Sequence, residues 1–309
     1  MSAFTLRTAT DRDRPALAAL ICDSTNAWYA KQGKPAIFPG GPATTTLFAE
    51  VYETLDPGCC VVAEDPVSGR LMGSCFFHPR PTHVALGIMN VHPDFFGAGV
   101  ARALLGHVTA LADAQHQPVR LVSSAQNLDS FSLYTRAGFV PRCTYQDMYV
   151  DVPASGLTVA CPGRERVRPA RFSDVPELVM LEESISGIRR EQDWRFFIAN
   201  PGDIWGLSVI AGVDGGIDGV LGSVCHPGST MLGPGVARDE ASAAALIHAR
   251  LDALRGKKPV FLVPCDRGDL VRTLYGWGAR NCEIHLLQVR GHAEPLRGVT
   301  MPTFMPETG

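Results

Sequence analysis

Apolar residues along the chain fall into short extended runs separated by stretches with helical spacing. Runs over 4–7, 60–64, 71–77 and 83–91 read as strands, with a turn at Pro66–Gly69 between the second and third. After Thr10, the residues Leu17, Leu20 and Ile21 share one helical face, and a second short helix is expected near 44–52. A helix over 99–114 places Val100, Leu104, Leu105, Val108 and Leu111 on one side. A strand over 119–123, a helix over 128–136 and a strand over 144–150 complete the series. Strands run together first, and a strand–helix–strand unit follows. That order predicts a mixed α/β fold, a sheet core with flanking helices.

The pattern then starts again. Arg7 to Asp13 and Arg168 to Asp174 have equal spacing, and Thr10 and Ser173 both suit helix N-caps. "LGIMNVHPDFFGAGVARALL" from Leu86 lies without a gap against "LGPGVARDEASAAALIHARL" from Leu232. "LVSSAQNLDSFSLYTRAGF" from Leu121 lies in the same way against "LVPCDRGDLVRTLYGWGAR" from Leu262, pairing Tyr134 with Tyr275. Two blocks in the same order argue for duplication of a whole domain. Between the copies, "DVPASGLTVACPGRER" is punctuated by Pro, Gly and Ser. The expected domains are 1–152 and 165–309 with a linker over about 153–164, and the first copy could lend its last strand across that boundary.

At 309 residues the chain is long enough for two domains, and 46% hydrophobic with 19% charged residues describes a globular protein. A net charge of −3 offers no basic attraction to nucleic acid or anionic membranes. No signal-peptide pattern begins the chain, and no apolar run is long enough for a bilayer. Nine scattered cysteines without a CxxC read as reduced thiols, which suggests the cytoplasm. No zinc-type Cys/His spacing and no GxSxG are present, so neither a metal nor a serine-hydrolase elbow is expected.

The chemistry concentrates in "NVHPDFFGAGVARALL", Asn90 to Leu105. Glycine lets the backbone approach a ligand closely, and a helix N-terminus presents unpaired N–H groups at the positive end of a dipole. Gly97 and Gly99 at a helix start therefore suit a phosphate or pyrophosphate, with Arg102 adding positive charge. The third glycine of a dinucleotide fingerprint is replaced by Arg102, and the GK[ST] of a P-loop is missing.

"VHPDFFGAGVARALL" resembles the acyl-CoA loop of the GCN5-related N-acetyltransferases (GNAT), with Gly99 and Ala101 at its small-residue positions. Phe96 departs from the family's Arg or Gln. "NLDSFSLYTRAGF", Asn127 to Phe139, is similar to the family's second block, with Ser130 for its usual alanine. The resemblance implies two tandem GNAT-like domains, each a central, mostly antiparallel sheet flanked by helices. It implies transfer of an acetyl or other short acyl group from acyl-CoA to a primary amine, by direct attack in a ternary complex. Acetyl-CoA would be the co-substrate, bound by Met89, Asn90, Val91, Gly97, Ala98, Gly99, Val100, Ala101, Arg102 and Asn127. Tyr134 would be the general acid that protonates the leaving thiolate; the alternative is a packed core tyrosine. Strand 83–91 carries no carboxylate to serve as general base. His92 fits a structural role, His83 reads as an exposed strand end, and Asp23 and Glu50 fall on the acceptor side by analogy.

In the second copy, Ala245 and Ile247 stand at the small-residue positions, Asp239 and Glu240 would repel an anion, and Gly268 replaces Asn127. That copy is expected to be degenerate. The expected partner is a small-molecule amine, with no nucleic acid and no membrane, and a homodimer is compatible with the sequence. An acyl-CoA sensor without turnover is the alternative function.

Overall fold

The computed structural model describes residues 4–307. The first copy runs β1 (Thr5–Thr8), α1 (Arg14–Lys31), α2 (Thr46–Leu55), β2 (Cys60–Glu64), β3 (Leu71–Arg80), β4 (His83–Val91), α3 (Val100–Ala114), β5 (Val119–Ser124), α4 (Leu128–Arg136) and β6 (Val140–Tyr149). The second repeats that order as β7 (Val167–Pro169), α5 (Val175–Ser186), α6 (Glu191–Ala199), β8 (Trp205–Ala211), β9 (Ile217–His226), β10 (Ser229–Ala237), α7 (Glu240–Asp252), β11 (Val260–Pro264), α8 (Gly268–Gly276) and β12 (Arg280–Arg290). A short extra strand, β13 (Val299–Met301), follows. The fold class read from the sequence is the one observed: a mixed α/β architecture with sheets flanked by helices.

The repeat extends to side chains. Arg7 donates to both carboxylate oxygens of Asp13 at 2.8 Å, and Arg168 does the same to Asp174 at 2.7 and 2.9 Å. Arg7 holds the Asp13 carboxyl down at about 2, and Arg168 lowers Asp174. Thr10 caps its turn as expected. The matching cap is Arg171, whose N–H donates to Asp174; Ser173 lies inside the turn.

Two compact units form, 4–79 with Val84–Val119, and Arg80–His83 with Arg120–Glu307. In the first, β1, β2, β3 and β4 lie side by side, with β1–β2 and β2–β3 antiparallel. Helix α3 buries Val100, Leu104, Leu105 and Val108. Its approach to the sheet is close: a Cβ on Gly73 would lie 2.7 Å from a Val100 methyl.

In the second unit the strand order is β5-β12-β6-β11-β10-β9-β8-β7, with β13 on β10. The last strands of the two copies are therefore exchanged. β6 lies antiparallel between β11 and β12, and β12 separates β5 from β6. The exchange is reciprocal: Ala125 N–H donates to Ile284 at 2.8 Å, and Cys265 N–H donates to Thr144 at 2.9 Å. The strand lent by the first copy is thus integral to the second sheet.

A buried ion pair also marks this unit. Arg80 donates to Asp193 through Nε at 2.7 Å and Nη2 at 2.8 Å, and both side chains are fully buried. Removing one partner of such a pair strands a charge at a cost of about 3–5 kcal/mol, whereas an apolar pair is tolerated far better. Asp193→Ala should lower unfolding stability by about that amount in urea melts. Arg80→Met with Asp193→Leu should recover most of it. Equal losses in the single and double variants would contradict this account.

Candidate functional site

Met89, Asn90 and Val91 lie at the end of β4, where the buried first half of the strand gives way to half-buried positions. His92 N–H donates to Met72 O at 2.9 Å, and the Asn90 side-chain amide donates to Ser24 Oγ at 2.7 Å, which ties the strand end to β3 and α1. His92 Nδ1 accepts from Asp94 N–H at 3.2 Å, and its Nε2 lies 2.9 Å from Arg70. The structural role expected for His92 holds.

The chain then makes a short turn through Phe95 and enters α3 by way of Gly97 and Gly99. Both glycines are left-handed, with φ of +81° and +83°, a region that side chains with a Cβ resist. A Cβ on either would meet no atom within 4 Å. Chain conformation therefore requires glycine here, and the space in front stays open for a ligand. Gly99 caps α3 with no side-chain hydrogen bond, and the first turn holds no acidic residue. Ala103 N–H, donating to Gly99 O at 3.1 Å, comes after the amides of Val100, Ala101 and Arg102. Amides at that position of a helix lack intrahelical acceptors. Arg102 is exposed on the same turn. Arg70 pairs with Asp94 at 3.0 Å, and Lys31 Nζ sits 4.4 Å over the Phe96 ring. A pyrophosphate-sized anion fits this donor set: amides, a positive dipole end and nearby cations.

Helix α7 begins differently. β4 and β10 correspond from first residue to last, but only two residues separate β10 from α7, where eight separate β4 from α3. The loop is missing in the second copy. Ala245 and Ile247 consequently lie inside α7 rather than at a glycine turn, which corrects the gapless alignment. Asp239 caps α7 by accepting from Ser242 N–H at 2.7 Å, so the protein's own carboxylate satisfies that helix start. β13 pairs antiparallel with β10 over Gly235–Ala237, the counterparts of Met89–Val91.

Asn127 and Tyr134 belong to the second compact unit, on α4, and the glycine loop belongs to the first. Asn127 caps α4, its Oδ1 accepting from Ser130 N–H at 3.1 Å. Tyr134 is buried at 6% exposure, its ring 5.8 Å from that of Phe139. Helix ends set the true register of the repeat here. Ala137 N–H bonds back to Leu133 and Tyr134, as Trp277 N–H does to Thr273 and Leu274. The counterpart of Tyr134 is thus Leu274, and that of Asn127 is Arg267, one residue from the sequence pairing. Tyr275 is 47% exposed and donates to Gln146 Oε1 at 2.7 Å.

Residues 56–141 match the acetyltransferase (GNAT) domain family. That match takes in the glycine loop and α4 of the first repeat. No curated protein matches the chain. Among solved structures, it is similar to a GNAT protein from Sphaerobacter thermophilus at 18% identity, covering 96% of this chain and 98% of that one with a TM-score of 0.64. A Pyrococcus horikoshii protein classed among the acetyltransferases shares 14% identity, covering 100% and 97% at a TM-score of 0.77. A tandem GNAT protein from the clavulanic acid biosynthesis pathway shares 14%, covering 93% and 98% at 0.59. At these identities the likeness is one of fold. The domain match supports acyl transfer as the class of chemistry. No helix among the described residues is long and apolar enough to cross a membrane.

Several ionisable residues escape sequence reading. His83 is buried, not an exposed strand end, and its Nδ1 lies 3.0 Å from Thr82 Oγ1. Asp23 and Glu50 are exposed. His78, inside β3, pairs its Nδ1 with Asp56 at 2.6 Å, and its ring closes on Gly87 of β4, where a Cβ would come within 2.8 Å of Nε2. Asp147, Glu283 and His285 are buried and bring potential ligand atoms within 4.8 Å of one another. These three come together because β6 pairs with β12, a relation no local spacing encodes. None of the nine cysteines is joined in a disulfide.

Proposed function

We propose that this protein is an N-acyltransferase moving an acetyl or other short acyl group from acyl-CoA to a primary amine, with the first repeat, 1–152, as the catalytic one. The observation that carries the proposal is the uncapped start of α3 behind two left-handed glycines. The pyrophosphate of acetyl-CoA would accept from the amides of Gly97, Gly99, Val100, Ala101 and Arg102; the Ala98 N–H, expected to join them, instead donates to Phe95 O at 3.2 Å. The pantetheine arm would run along Met89, Asn90 and Val91 as an added strand. A backbone N–H near Val91 would then polarise the thioester carbonyl, where charge develops as the amine attacks. With Asn127 Oδ1 committed to capping α4, its Nδ2 is the atom left for the pantetheine amide. Tyr134 would give its proton to the departing thiolate. The amine attacks directly, so the protein supplies orientation and proton transfer rather than a covalent nucleophile.

The second repeat is proposed to bind no acyl-CoA. It lacks the loop, Asp239 occupies its helix start, and β13 takes the edge of β10 that corresponds to Met89–Val91. Calorimetric titration with acetyl-CoA should give one site per chain, and a stoichiometry near two would overturn this assignment.

The second reading, an acyl-CoA sensor without turnover, draws on Phe96 in place of a polar side chain and on the absence of a carboxylate from β4. Release of CoA thiol, followed over a library of small amines, distinguishes the two. Amine-dependent release supports the transferase, and stoichiometric binding without release supports the sensor. The same screen identifies the acceptor.

A further inference from the structure

Among the described residues, the second compact unit contains a buried cation that forms no salt bridge. Arg120, at the start of β5, is 7% exposed. Its Nη1 reaches only the Ser186 carbonyl, at 3.5 Å, and its Nε is buried without a hydrogen-bond partner. The carboxylate that acts on it electrostatically, Glu182, is already held by Arg190 at 2.8 Å and by the Trp194 indole N–H at 3.1 Å. Tyr145 also faces it, but burial pushes that phenol far up, so it stays a neutral hydroxyl, 2.8 Å from Thr300 Oγ1. Arg120 and Arg190 against Glu182 leave one positive charge uncompensated.

An arginine does not shed its proton in a protein, and a buried unpaired charge is among the costliest features a fold can carry. Burial indeed disfavours the charged form of Arg120. The backbone does not demand a cation at this position. By the register that pairs Ala125 with Cys265, the counterpart of Arg120 is Val260.

Beside Arg120 lies a cavity of about 20 Å³, bordered by Arg190, Tyr145, Thr300 and Leu287. One to two water-sized atoms fit such a space, and an organic acid does not. We infer that this cavity is a binding site for a small monatomic anion, chloride in the cell, held by Arg120 with Arg190 and the Tyr145–Thr300 hydroxyl pair. The site lies within the second compact unit and does not depend on the acyl-CoA proposal.

Bromide substitutes for chloride and scatters anomalously. Crystals of the full chain grown without halide and soaked in sodium bromide should show an anomalous peak at hydrogen-bonding distance from Arg120. A water or empty density there, with bromide only on the surface, would overturn the inference. In solution, the thermal midpoint should rise saturably with sodium chloride above its value in sodium gluconate at equal ionic strength, because gluconate is too large to enter. Arg120→Met, which makes the position apolar like its counterpart Val260, should remove that difference. A chloride-specific rise that survives in Arg120→Met would place the ion elsewhere. If Arg120→Met does not fold, the bromide peak alone decides.

Discussion

Tyr134→Phe is expected to lower turnover by about 10²–10⁴-fold, the usual contribution of a single general acid. The ring stays, so its packing against Phe139 stays. The lost hydroxyl should cost only about 0.5–1.5 kcal/mol of stability, the scale of one hydrogen bond. Affinity for acetyl-CoA should hold, because the acid acts after the thioester is bound. Steady-state kinetics on an acceptor found by the amine screen, together with thermal melts and calorimetry, separates these effects. Tyr275→Phe is the control: exposed and joined to Gln146, it should leave turnover unchanged. Wild-type turnover in Tyr134→Phe would make Tyr134 a core residue and place the acid elsewhere.

The second large effect is expected at Gly99→Val. With φ at +83° and no neighbour within 4 Å of a Cβ, the protein has room for the side chain but not for its conformation. A left-handed L-residue costs about 1–2 kcal/mol. The branched side chain also points into the space a pyrophosphate would use. Together these should raise the acetyl-CoA Kd by at least about tenfold, since 1.4 kcal/mol is a factor of ten. Gly58→Val isolates the strain. Gly58 is also left-handed, at φ +75°, with nothing within 4 Å, and it lies at the opposite end of the β2–β3 pair from the loop. It should show a comparable loss of stability with acetyl-CoA affinity intact. Normal affinity in folded Gly99→Val would mean that the glycines serve only the turn.

Local patterns were legible where one segment carries the signal. Strand β4 and helix α4 lie where apolar periodicity and capping residues place them, because those signals sit within a few residues of the element they specify. The glycine loop was legible for the same reason. The correspondence between copies was less so. A gapless match hid the missing loop before α7, because alanines inside that helix imitate the small residues of a turn. Around Tyr134 the pairing slipped by one residue, since Leu-Tyr occurs in both copies and only the helix ends reveal which position is buried. His78 was missed because a histidine within an apolar strand gives no sign of the aspartate that meets it.

The order of elements in the first copy, the recurrence of its blocks, the glycine turn and the GNAT resemblance are legible along the chain. Each of these is written in residues close together along the chain or in a block that recurs. Tertiary structure alone decided the exchange of β6 and β12, the seating of β13 on β10, the Arg80–Asp193 pair and the meeting of Asp147, Glu283 and His285. The physical reason is that strand pairing acts between segments far apart in the chain. A strand's alternation says which side chains face the core, but many edges can satisfy the same backbone donors and acceptors. Which edge wins depends on the whole sheet, and so does the company kept by every charge buried along it.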